Sequence, residues 1–84
     1  MEYQVRLKPK AEKELAKIPD KHRQRILIVL QELRTDPFLG KKMAGEYKGT
    51  RSVSIWPYRV VYMVDKKILL VLVIKIGHRQ GVYK

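Results

Sequence analysis

Tyr3, Val5 and Leu7 alternate with Gln4, Arg6 and Lys8, the period of two expected of a half-buried strand. Lys8-Pro9-Lys10 ends it, and Pro9 suits the first turn of a helix. Ala11, Leu15 and Ile18 then recur at helical spacing, with Glu12, Lys13, Glu14 and Lys17 around the outside. Pro19-Asp20 breaks this helix, and Asp20 is placed to cap the next. Ile26-Leu27-Ile28-Val29-Leu30 has the composition of a buried strand. Its polar flanks, residues 21–25 and 31–34, extend the segment well past strand length. Ile26, Leu30 and Leu33 form one helical stripe that Val29 widens, so a helix is expected, ending near Thr35-Asp36-Pro37. Its apolar face is wider than a small sheet needs; deep burial and a contact for a partner both account for it.

Gly40 to Gly49 reads as a loop holding Lys41, Lys42 and Lys48. Arg51 to Ile55 is a short strand, and Trp56-Pro57 a tight turn into a second run, Tyr58 to Val64. A turn at Asp65-Lys66-Lys67 leads to a third run, Ile68 to Ile76. The predicted order is an N-terminal strand, a two-helix hairpin, then a three- to four-stranded, mainly antiparallel sheet, an α+β domain. A two-residue connection at Trp56-Pro57 would pair Ile55 with Tyr58 and Ser54 with Arg59. Ser52, Ser54, Arg59, Val61 and Met63 would then share one face, and Val53, Ile55, Tyr58, Val60 and Tyr62 the more apolar face under the helices. A three-residue turn at 65–67 would set Arg59 opposite Val73 and near Lys75.

With 84 residues the chain makes a single domain spanning 1–84. No cysteine is present, which excludes disulfides and fits a reducing compartment. The N-terminus lacks the basic start and apolar stretch of a signal peptide. The run from Ile68 to Ile74 is far too short to span a bilayer. A soluble, cytoplasmic protein is the expectation. Charge changes the picture most: 19 Lys and Arg stand against 8 Asp and Glu, a net +11. Residues 1–40 hold nine bases and six acids, whereas residues 41–84 hold ten bases and only Glu46 and Asp65. A basic half of this strength favours a polyanion, RNA or DNA before an acidic protein.

The chemistry-bearing residues gather in that half. Arg59 lies inside one strand, and Lys75, His78, Arg79 and Tyr83 lie at the exit of its neighbour. Arginine and lysine can stabilise the charge that develops on a phosphodiester being cut, without a metal. Singly each has a plain explanation: Arg59 can snorkel over apolar neighbours, His78 can be a solvated loop residue, and Tyr83 can anchor the terminus. Together they are less easily dismissed. The chain holds no P-loop, no His-Glu-x-x-His and no acidic cluster for magnesium, so no metal and no cofactor is expected.

These residues resemble the RelE/ParE superfamily of toxins from toxin–antitoxin pairs, more closely its RelE branch. The likeness covers essentially the whole chain. It rests on the opening strand followed by Lys8-Pro9-Lys10-Ala11-Glu12-Lys13-Glu14-Leu15, on Gly49-Thr50-Arg51-Ser52, on Tyr58-Arg59-Val60-Val61-Tyr62, and on Gly77-His78-Arg79 with Tyr83 closing. The resemblance implies a microbial-ribonuclease-like fold that enters the ribosomal A site and cuts mRNA there by metal-free attack of the ribose 2′-OH. By position it implies that Arg59 and Arg79 neutralise the transition state and that Tyr83 stacks on or orients the nucleotide. Lys48 and Arg51, with Lys75, would hold the RNA backbone, and His78 would transfer a proton. It also implies a RelB-like antitoxin, whose acidic helix would cover the apolar face of Ile26, Val29, Leu30 and Leu33.

One position departs from the RelE pattern. A Lys or Arg is usual in the strand before the Tyr-Arg, on the face of the arginine; here Ser54 stands there, with Ser52 two residues earlier. A serine supplies no positive charge, so Lys75 or Arg51 would have to replace it. Two other readings stay open: a ParE-like inhibitor of DNA gyrase without nuclease activity, and an RNA-binding homologue whose main business is its antitoxin.

Overall fold

A computed structural model describes residues 2–78. Strand β1 (Gln4–Leu7) leads into helix α1 (Pro9–Lys17), which starts, as its sequence predicts, with proline in the first turn. Helix α2 (Asp20–Glu32) follows. Asp20 does not cap it: Pro19 takes that position, and the Asp20 carboxylate instead accepts hydrogen bonds from Arg23 and Gln24 one turn on. Then come β2 (Lys41–Lys42), a 3-10 turn at Gly45–Tyr47, β3 (Arg51–Ile55), β4 (Tyr58–Asp65) and β5 (Leu70–His78). The five strands are ordered β1-β5-β4-β3-β2, with β1 parallel to β5 and the other neighbours antiparallel. Strand β2 lies in the stretch read as loop. Two residues are too few to show a period.

The β3–β4 hairpin has the expected register, Ile55 opposite Tyr58 and Ser54 opposite Arg59, around a cis Trp56–Pro57 bond. The β4–β5 hairpin does not. Its loop runs from Lys66 to Leu69, and Leu69 adopts a positive φ of 52°. A bulge then puts an extra residue, Ile74, into β5 between the pairs Tyr62–Val73 and Val61–Lys75. Arg59 therefore lies opposite Gly77 instead of Val73.

One side of the sheet carries both helices. Ala11 and Ile18 meet Ile26, Leu30 and Leu33 over a floor of Ile55, Val60, Tyr62, Val71, Val73 and Ile76. Strand β1 ends at Leu7, so β5 has no strand partner on that edge beyond Val73. There Glu14 of α1 accepts the Ile76 N–H at 3.0 Å, supplying the acceptor that a longer β1 would have provided. Tyr62 is buried beneath the segment leaving α2. Its hydroxyl donates to the Pro37 carbonyl at 2.9 Å and accepts from the Gly40 N–H at 2.8 Å. Only glycine fits at position 40, because a Cβ would sit 2.7 Å from that hydroxyl and 2.8 Å from the Ser52 carbonyl oxygen.

The stripe read as an antitoxin contact is corrected by this packing. Ile26 and Leu33 are wholly buried, Leu30 almost so, and Val29 packs against the same cluster. The wide apolar face is covered by the chain's own sheet. What α2 leaves in solvent is Leu27 at 47% exposure and Ile28 at 61%.

Candidate functional site

Alternation along β3, β4 and β5 fixes which side each candidate takes. Val60 and Tyr62 point into the core, so Arg59, Val61 and Met63 point the other way, onto the face without helices. Arg59 is half-buried there. Its cross-strand neighbours are Ser54, which is exposed, and Gly77, which has no side chain. Neither of these cross-strand neighbours sets a large side chain beside it. In the next row Lys41, Ser52, Val61 and Lys75 pair across four strands. Ser52 and Val61 are buried, so they form a floor with a lysine at each end.

Arg6 lies on the same face, because β1 pairs with β5 so that Arg6 meets Leu72. The face therefore gathers Arg6, Lys41, Arg59 and Lys75. Among the described residues paired on it the one acid is Asp65, at a far corner, where its carboxylate accepts the Lys67 N–H at 2.9 Å. Arg6 and Lys41 were not singled out in the sequence. Alternation in β1 already turned Arg6 away from Val5 and Leu7, but nothing in the sequence said that β1 would lie beside β5.

Three expected members do not join Arg59. His78 pairs with Tyr58, on the helix side of the sheet. Its ring centroid lies 6.0 Å from that of Tyr58, edge to face, and His22 of α2 approaches the same tyrosine at 5.4 Å. An imidazole held there is turned away from a phosphate at Arg59. Arg51 also takes the helix side, opposite Tyr62. It donates to the carbonyls of Gly40 at 2.8 Å and Phe38 at 3.3 Å, and its guanidinium lies 4.9 Å from the Phe38 ring centre. It ties β3 to the loop after α2. Lys48 follows the 3-10 turn and lines a pocket with Arg51, away from Lys75. Arg79 and Tyr83 lie outside the described residues.

The electrostatics of the interior are simple. Burial pushes the Tyr62 phenol up from its usual 10.0, and Asp36 adds to this; the Gly40 N–H and Arg51 oppose it. Among the described residues no group of three or more His, Asp or Glu side chains is placed to hold a metal. No helix among them is long and apolar enough to cross a membrane.

Comparison with known proteins agrees with this architecture. The chain is 31% identical to Toxin RelG of Mycobacterium tuberculosis over 90 residues, covering all of this chain and 99% of that protein. It superposes with a TM-score of 0.87 and 27% identity on a chain of the toxin–antitoxin complex RelBE2 from the same organism, covering 94% of this chain and 100% of that one. The isolated Escherichia coli RelE toxin gives a TM-score of 0.80 at 25% identity, over 96% and 90% of the two chains. Residues 5–83 match the family described as the ParE toxin of type II toxin–antitoxin systems, parDE. The chain belongs to that family, and it is a toxin of the RelE/ParE superfamily of type II toxin–antitoxin systems.

Proposed function

We propose that this toxin is an endoribonuclease that cuts mRNA in the ribosomal A site, by attack of a ribose 2′-OH on the adjacent phosphate. The observation that carries the reading is the position of Arg59. It stands on an acid-poor cationic face, with the small residues Ser54 and Gly77 as its cross-strand neighbours. In the reaction the 2′-oxygen bonds to phosphorus and releases its proton, and the bond from phosphorus to the 5′-oxygen breaks. That oxygen takes up a proton, leaving a 2′,3′-cyclic phosphate and a 5′-hydroxyl. Negative charge builds on the non-bridging oxygens between these events, and a preorganised guanidinium stabilises it most there. Lys75, one diagonal step from Arg59 across β4 and β5, supplies the second charge that Ser54 does not. Arg79 next to His78, and Tyr83, complete the site as the family likeness implies. His78 is left out of the chemistry because its ring faces Tyr58.

Its partner is a RelB-like antitoxin, since similar structures include RelBE2 and the intact Escherichia coli RelBE complex. On α2 the apolar side chains left for that partner are Leu27 and Ile28.

Primer extension on a translated message tests the nuclease, with the wild type beside Arg59→Ala and Arg79→Ala. Discrete cuts lost in both variants support it. Intact message together with inhibited gyrase supercoiling would sink it in favour of the ParE-like reading, which the family description and the serine at position 54 both favour.

A further inference from the structure

A second cationic site lies on the helix side of the sheet, beside the edge strand β2. It is a pocket of about 360 Å³ lined by Phe38, Met43 and Val64, by Lys42, Lys48 and Arg51, and by Gly49 and Thr50. Among the described residues no carboxylate lines it. The Phe38 ring is 41% exposed, and Lys66 from the β4–β5 turn places its ammonium 5.3 Å from the ring centre, so a further cation stands at the rim. Arg51 is committed to the carbonyls of Gly40 and Phe38; it holds the ring in place and leaves the lysines to meet a ligand. An exposed aromatic ring with three lysines about it suits a nucleotide, whose base takes the ring and whose phosphates take the ammoniums.

Strand β2 links this pocket to the Arg59 face. Lys41 pairs with Ser52 and so projects to the outer face, whereas Lys42 pairs with Arg51 and projects to the helix side. Both are exposed. A strand only two residues long thus carries one lysine on each side of the sheet edge, the arrangement needed to lead a phosphate backbone around it.

We propose that this pocket is a nucleotide-binding subsite for single-stranded RNA, holding a part of the strand that has passed over β2 from the outer face. The inference takes RNA as ligand from the proposed function, but its test does not depend on cleavage. A fluorescent single-stranded RNA of about twelve nucleotides is titrated by anisotropy at several salt concentrations, with every protein carrying Arg59→Ala. The double variant Lys42→Ala/Lys48→Ala is expected to bind at least about tenfold more weakly and to lower the salt slope by about two. Phe38→Leu, which keeps the apolar volume, is expected to weaken binding about fivefold or more with the slope unchanged. Lys13→Ala/Lys17→Ala removes the same charge from the exposed side of α1 and serves as the control.

Pocket variants that bind like the control overturn the inference. So does a set that binds RNA normally but no longer holds the proposed RelB-like antitoxin, which would make the pocket a protein contact. RNA bound through the pocket, together with translated messages left intact by the wild type in the primer-extension test, refutes the nuclease and leaves the subsite standing. Cleavage with unaltered binding does the reverse.

Discussion

The two sides of the sheet are built from the same strands yet follow different rules. Over the core the helix side is filled: Ile26, Leu30 and Leu33 of α2 press on Val60, Tyr62, Val71, Val73 and Ile76, and the Tyr62 hydroxyl and the Glu14 carboxylate bond there to backbone. The outer side carries cations around a small buried floor of Ser52 and Val61. Over the core a residue is tolerated for its shape, on the outer face for its charge. The difference teaches that stability and the proposed RNA chemistry are separable here at the level of single residues, since Val60 and Arg59 are consecutive and serve opposite sides.

The sharpest break in that comparison is Arg59→Ala. Removing the charge is expected to lower cleavage by about a hundred- to a thousandfold and to leave the thermal melt nearly where it was, measured by primer extension and calorimetry. Ile26→Ala or Leu33→Ala should do the opposite. Each opens a cavity costing about 2–5 kcal/mol, read by urea denaturation, while antitoxin affinity per folded molecule stays the same. If affinity drops with stability intact, α2 is docking a partner through its buried stripe after all.

Tyr62→Phe removes the donor to Pro37 and leaves the buried Gly40 N–H without its acceptor, a loss of about 1–3 kcal/mol. The same change alters the alkaline limb. With its folded pKa raised, the tyrosine contributes stability that is full below its unfolded value of about 10 and is lost as pH rises through the folded value. Wild type should therefore lose stability above that pH more steeply than Tyr62→Phe. Parallel curves would show that folding leaves the phenol's pKa where it is in the unfolded chain. The smallest stability effect belongs to Ser54→Lys, within about 0.5 kcal/mol because the site is exposed. It restores a cation beside Arg59, and message cleavage should rise several-fold. No rise would show that the missing cation at position 54 does not limit the proposed cleavage.

Legibility followed the length of the connections. The β3–β4 hairpin could be read residue by residue because Trp56-Pro57 leaves one way to close it. The β4–β5 hairpin could not. Its loop includes Leu69 at positive φ, where a reader expects glycine, and the Ile74 bulge breaks the count farther on. His78 was placed with Arg59 because Gly77 looked like the end of a strand. The strand in fact continues through His78, and alternation carries that ring to the other side. The stripe on α2 was visible, but a stripe does not say who covers it. Arg51 and Lys48 were grouped with Lys75 through the family likeness; pairing sends Arg51 to the helix side, where it shares a pocket with Lys48.

By itself the chain's order of residues determined the α+β class, the β3–β4 pairing and the concentration of charge in the second half, because these depend on near neighbours and on counts. Only the tertiary structure decided which cations meet. Strand order brings Arg6 from the N-terminus to the face of Arg59, and one inserted residue in β5 resets which partners stand across from it. Side in a sheet is a parity, and a parity changes with every bulge that local sequence does not announce.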